Sequence, residues 1–200
     1  MRTPFRHERG FTLVELMITL AVAAIILALA VPGFQAVING NRLTAAANEL
    51  LAALQTARIE AVRYHQRTVL CLSANAHTAT PGCAPAGATG LDGWIAFVDR
   101  DRDRNYSAGT DTLLRVTRAP GGIRLLASPA VPAPGRVTFR PDGFAPDAAG
   151  TGLLTAAISV CLPTTRPAQN VRRVVIGAGS RMSIESQDGG GACIAPANPT

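Results

Sequence analysis

Between Phe11 and Val31 lie twenty-one residues, and only Thr12, Glu15 and Thr19 among them are polar. Coiled as a helix, this run rises about 31 Å, enough to cross the hydrocarbon core of a bilayer. A short basic leader containing Arg2, Arg6 and Arg9 precedes it, and Gly10 stands at the junction. A secretory signal peptide shares the basic start and apolar centre, but it does not set a glutamate at the head of the apolar run, and no small-x-small cleavage site lies directly beyond. A plain anchor fits little better, because a charge inside a spanning segment costs about 2.5 to 3.5 kcal/mol at the centre and calls for a partner. Glu15 therefore asks for a cation.

The stretch Gly10-Phe11-Thr12-Leu13-Val14-Glu15 resembles the class III signal of type IV pilins and of the pseudopilins of type II secretion. That resemblance implies cleavage by a prepilin peptidase between Gly10 and Phe11 and N-methylation of the new terminus on Phe11. It also implies that Glu15 pairs with the terminal amine of a neighbouring subunit during assembly. Two opposite charges in a low-dielectric layer stabilise one another only when both are present and close. The partners implied are other major and minor pilins, the peptidase and an inner-membrane assembly platform. The implied location is the bacterial inner membrane, with a single pass and a periplasmic head, and afterwards the filament.

Four segments follow: a leader over residues 1–10, a transmembrane helix over 11–31, an amphipathic helix over 32–67 and a β-rich head over 68–200. Pro32 and Gly33 are expected to interrupt the helix locally, since proline removes a backbone donor and glycine adds freedom. Beyond them Leu43, Ala47, Leu50, Leu54, Ala57 and Ala61 recur at alternating steps of four and three, which is one apolar helix face. Arg42, Glu49 and Arg63 fall on other faces.

After Arg67 the pattern turns to short β-rich runs at 68–73, 93–98, 112–117, 122–127, 136–140, 155–162, 171–176 and 181–185. Turn-rich sequence separates nearly all of them. Strands so closely spaced, with no second helical pattern, predict a mainly antiparallel sheet. The fold class is thus α+β, and the pilin resemblance implies a long N-terminal helix packed on that sheet. Segments 74–91 and 128–135, rich in small and turn residues, are expected to be exposed and mobile. The run Gly93-Trp94-Ile95-Ala96-Phe97-Val98-Asp99-Arg100-Asp101 is similar to the strand and acidic turn of the H-type pseudopilin and FimT-like minor pilin group.

Four cysteines, Cys71, Cys83, Cys161 and Cys193, suit an oxidising compartment. Three pairings are open to them. Cys71 with Cys83 and Cys161 with Cys193 is favoured, because each pair flanks a turn-rich loop. No Cys-x-x-Cys occurs and the three histidines show no ligand spacing, so zinc is not expected. Asp99, Asp101 and Asp103 alternate like the start of an EF-hand loop. Arg104 stands where that loop needs glycine, Thr110 where it needs glutamate, and the interleaved arginines cancel the charge, so a solvated turn without metal is expected.

No nucleophile elbow, Walker loop or dinucleotide fingerprint occurs, and neither an enzyme nor a cofactor is implied. Assembly and binding remain. The formal charge is +6, and all nineteen basic residues are arginine. FimT-like DNA binders carry a Gly-Arg-x-Arg motif near the end, and the matching stretch here, Ser180-Arg181-Met182-Ser183, retains only Arg181. Arg166, Arg172 and Arg173 restore positive charge nearby and nominate a phosphate-binding patch. Arg172 and Arg173 are adjacent in a predicted strand, so only one of them can share a face with Arg181. The resemblance leaves two readings: a minor pilin of a type IV pilus that also binds double-stranded DNA in natural transformation, or an H-type pseudopilin of type II secretion acting through protein contacts alone.

Overall fold

A computed structural model of the chain describes residues 10–133 and 135–199. The leader's arginines, at positions 2, 6 and 9, lie outside the described residues. One helix, α1, runs from Leu13 to Tyr64 over 52 residues, which is roughly 78 Å. The Thr12 hydroxyl caps its start by accepting from the Glu15 amide at 3.2 Å, and Glu15 in the first turn meets the positive end of the helix dipole. His65 closes it in a left-handed conformation with φ of 51°.

The interruption expected at Pro32 and Gly33 is absent, since α1 passes through both without a break. A proline forfeits one hydrogen bond, and the long regular turns on either side hold the helix on course. The boundary of the amphipathic half also moves, from 67 back to Tyr64.

The chain then lays down eight strands: β1 (Thr68–Ser73), β2 (Gly93–Val98), β3 (Thr112–Arg118), β4 (Arg124–Ala127), β5 (Arg136–Phe139), β6 (Ala156–Cys161), β7 (Val171–Gly177) and β8 (Arg181–Gln187). They form two four-stranded antiparallel sheets, ordered β3-β2-β1-β5 and β4-β6-β7-β8. The predicted β-rich runs all become strands, with ends shifted by at most two residues.

The apolar face of α1 lies across both sheets. Leu43, Ala46, Ala47, Leu50, Ala53, Leu54, Ala57 and Ala61 are buried together with Leu70, Leu72, Trp94, Val137, Phe139, Ile158, Val160, Val174 and Ile176. The many alanines allow the strands to approach the helix axis closely. Period-2 alternation sends Val69, Cys71, Ile95 and Phe97 to the opposite face of the first sheet, where Cys83 and Tyr106 cover them. The Tyr106 ring meets Phe97 edge-on with centroids 5.5 Å apart.

Both favoured disulfides form, Cys71–Cys83 and Cys161–Cys193. Each staples a segment over the outer face of one sheet. Segment 74–91 is accordingly less exposed than expected. Ala76 and Ala84 are buried, His77 pairs with Asp92, and the Asn75 side chain bridges Gly82 and Thr80. In segment 128–135, Ser128 and Val131 are buried, because the Ser128 hydroxyl accepts from the Ala157 amide at the edge of β6.

Candidate assembly and nucleic-acid surfaces

Among the described residues, the large apolar side chains of the N-terminal half of α1 are exposed. Phe11 is 84% exposed, and Leu13, Leu16, Met17, Ile18, Leu20, Ile25, Ile26, Leu27, Phe34, Val37 and Ile38 are exposed with it. Among the described residues this is the one helix long and apolar enough to cross a membrane. An apolar surface of this extent is stable in water only when covered, by lipid or by other chains. Glu15 is exposed one turn above Gly10 and Phe11, so the candidate cleavage point and the candidate assembly carboxylate share one accessible tip.

The four candidate DNA-binding arginines do not form one patch. Arg173 lies on the outer face of the second sheet. Its guanidinium donates to the Ala197 carbonyl at 3.3 Å and stands 3.7 Å from Glu185, and its side chain is only 20% exposed. Arg172 points to the opposite face and donates to the carbonyls of Gln169 and Val171. Arg181 is exposed on the same outer face as Arg173, opposite Gly177 at the far end of β7. Arg166 is exposed on the β6–β7 loop, whose backbone carbonyl accepts from Asn39 of α1 at 2.9 Å. The Arg58 contact to the Ser180 carbonyl puts Arg181 near residue 58 of α1, whereas Arg166 sits near residue 39, so the two are separated by about 28 Å along the helix.

The turn at 99–111 is tightly self-bonded. Arg67 Nε donates to Asp99 Oδ2 at 2.7 Å, the Arg104 amide donates to the same oxygen, and Asp111 accepts from the amides of Arg100 and Ser107. Oxygens of Asp99, Asp101 and Asp103 lie within 4.8 Å of one another. They could offer a cation one ligand each, but Arg67 holds Asp99, and Arg100, Arg102 and Arg104 stand between the acids. Partial loss of hydration, and then the carboxylates of Asp103, Asp111 and Asp99, raise Asp101 above the usual carboxylate value, against the lowering effect of the Asp103 amide. At the same end of the first sheet, in the turn after β5, the Phe144 amide, followed by the Arg140 guanidinium, holds Asp142 below it.

The sequence reading missed Arg42, Arg118 and Arg124. Arg118 ends β3, Arg124 begins β4, and the Arg42 guanidinium donates to the Gly121 carbonyl between them. The available signal was a Pro-Gly-Gly link flanked by two strand-terminal arginines.

Residues 46–180 match the family model of the type II transport protein GspH, and residues 5–31 match the prokaryotic N-terminal methylation motif. No curated protein matches the chain. Among solved structures, the chain is similar to the type IV minor pilin FimU of Pseudomonas aeruginosa, with 19% identity and a TM-score of 0.47 over 72% of this chain and 89% of that one. With the family model spanning residues 46–180 behind an N-terminal methylation motif, the chain belongs to the family of the type II transport protein GspH.

Proposed function

We propose that this chain is a minor subunit of a type IV pilus. A prepilin peptidase cuts it between Gly10 and Phe11, Phe11 is methylated, and Glu15 pairs with a neighbour's terminal amine as the bare half of α1 leaves the inner membrane for the filament. The head is periplasmic before assembly. Its partners are the major and minor pilins and the assembly platform. The observation that carries this reading is the unbroken α1, which joins an exposed apolar half bearing Glu15 to an alanine-lined half locked into the head. Such a helix transmits every contact at its tip to the head as a rigid rod.

The test separates processing from assembly. Gly10→Val should leave the precursor uncut, as read by intact mass. Glu15→Val should be cut normally yet be missing from sheared filaments. Normal incorporation of the Glu15 variant would overturn the assembly role. Recovery of the native chain in a secretion pseudopilus instead would favour the H-type pseudopilin.

DNA contact in transformation is the finer reading. Arg181 and Arg166 support it, as both are exposed and neither has a carboxylate partner among the described residues. With Arg173 tied to the C-terminal segment, contacts are few, and binding should be weak, blind to sequence and steeply salt-dependent. Fluorescence anisotropy of the full chain in detergent with short duplex DNA, with and without Arg166→Gln and Arg181→Gln, decides it. Equal anisotropy for both proteins at low salt would remove DNA from the function.

A further inference from the structure

The loops that meet α1 where it leaves the head are unusually rich in unpaired arginine. Arg42 reaches the Gly121 carbonyl of the β3–β4 link, and Asn39 donates to Arg166 in the β6–β7 loop. Pro167 packs against Gly40, where an added Cβ would lie 3.9 Å from its ring. These three contacts fix one edge of the head at residues 39–42 of α1. Arg118 and Arg124 flank the β3–β4 link and line one cleft of about 960 Å³. Arg172 is the second residue of β7, just after the β6–β7 loop. Arg118, Arg124 and Arg166 are exposed, and none of the five arginines has a carboxylate partner among the described residues. Two acids share this edge. Asp92 is occupied by His77, and exposed Asp188 accepts from Gly190.

The spacing along α1 says what such a collar faces. From residue 16 to residue 41 no side chain is charged. That span is about 39 Å, close to the 40 to 45 Å of a bilayer counted with its headgroups. When Glu15 lies in one headgroup layer, Arg42 lies in the other, and neither charge enters the hydrocarbon.

We infer that, before entering a filament, the head rests on anionic phospholipid headgroups of the leaflet from which α1 emerges, held by Arg42, Arg118, Arg124, Arg166 and Arg172. Guanidinium groups bind phosphate oxygens in pairs, which suits a lipid phosphodiester. The contact fixes the rotation of the head about α1 and presents one side of it to an incoming neighbour. The inference rests on α1 crossing the membrane, as in the proposed function.

The test uses the full chain in nanodiscs of phosphatidylcholine, alone or with phosphatidylglycerol. Co-migration with the discs reports insertion separately, and a chain that stays out of both overturns the anchoring and this inference with it. For the inserted chain, amide exchange in segments 119–123 and 163–169 should slow by about fivefold or more with phosphatidylglycerol, in keeping with the contribution of each arginine near an anionic surface. The slowing should vanish in high salt. Arg118→Gln, Arg124→Gln and Arg166→Gln combined should abolish it, and the corresponding Lys substitutions should retain most of it. Equal exchange in the two discs, or slowing that survives the Gln variant, overturns the inference. Slowing caused by duplex DNA in phosphatidylcholine discs, with none from phosphatidylglycerol, would make this edge a nucleic-acid surface instead.

Discussion

Arg67 and Asp99 are joined by an ion pair of 2.7 Å where α1 hands the chain to β1, with the Asp99 side chain fully buried and that of Arg67 21% exposed. The Asp99 amide also donates to the Arg67 carbonyl, so the strand that leads into the acidic turn is tied twice to the end of the helix. Removing one member of such a pair leaves the other charge under protein without compensation. Arg67→Ala should cost about 3 kcal/mol, because it strands the fully buried Asp99 charge, and Asp99→Ala less, because the Arg67 side chain left behind is partly exposed. Thermal melting of the two single variants and the double variant checks this. A double variant as unstable as the sum of the singles would show that the two residues do not act as a pair.

Gly93 opens β2 with no room for a side chain. A Cβ placed there would stand 2.2 Å from the Thr117 carbonyl oxygen and 2.7 Å from the Ala76 Cβ. Neither neighbour can yield cheaply, since one is backbone of β3 and the other sits on the loop stapled by Cys71 and Cys83. Gly93→Ala should therefore destabilise the head by about 2 to 3 kcal/mol, as overpacking does. Denaturant titration measures it, and a loss under about 0.5 kcal/mol would mean that the β2–β3 edge gives way freely.

Two exposed carboxylates should impose opposite pH trends. Asp101 has its folded pKa raised, so its ionised form disfavours the folded state, and stability is gained as pH falls through that raised value. Asp101→Asn should make the protein slightly more stable at neutral pH, with the gain fading in acid. Asp142 has its folded pKa lowered. Its contribution is present above the ordinary carboxylate value and is lost as pH falls through the lowered one, so Asp142→Asn should destabilise at neutral pH and converge with the native chain in acid. Melting temperatures across the acid range should bring both curves toward the native one, from opposite sides.

Much of the fold is legible because local rules reinforce one another here. Leu43 to Ala61 repeat with helical spacing and all end up buried, and every β-rich run bounded by turn residues becomes a strand. The N-terminal methylation motif could be read from six consecutive residues, Gly10 to Glu15. What could not be read is non-local. Nothing near β4 or β5 says that they belong to different sheets, because β5 pairs with β1 across more than sixty residues and β4 with β6 instead. Sequence shows an arginine only its chain neighbours, whereas Arg173 is engaged by the Ala197 carbonyl and Arg42, Arg118 and Arg124 gather only through the β3–β4 link. Pairing of a side chain with a distant backbone carbonyl leaves no periodic trace.

The C-terminal segment is held to the outer face of the second sheet by four contacts. These are the Cys161–Cys193 disulfide, the Asn170 side-chain amide donating to the Ala192 carbonyl at 3.2 Å, the Arg173 bond to the Ala197 carbonyl, and the Ala130 amide donating to the Asn198 side chain at 2.9 Å. Pro196 is buried. The disulfide closes a separation of 32 residues, and on chain-entropy grounds its loss should cost about 3 to 4 kcal/mol. Cys161→Ala with Cys193→Ala should therefore lower the melting temperature. It should also speed amide exchange over residues 192–198 by at least about tenfold, since three scattered hydrogen bonds of about 1 kcal/mol each do not by themselves keep a terminal strap closed. Arg173→Gln with the disulfide intact should loosen only the end of the strap, at Ala197 and Asn198, and leave residue 193 protected. If the double cysteine variant keeps its strap protected, burial of Pro196 and the three hydrogen bonds suffice to hold it, and the disulfide serves the unfolded chain alone.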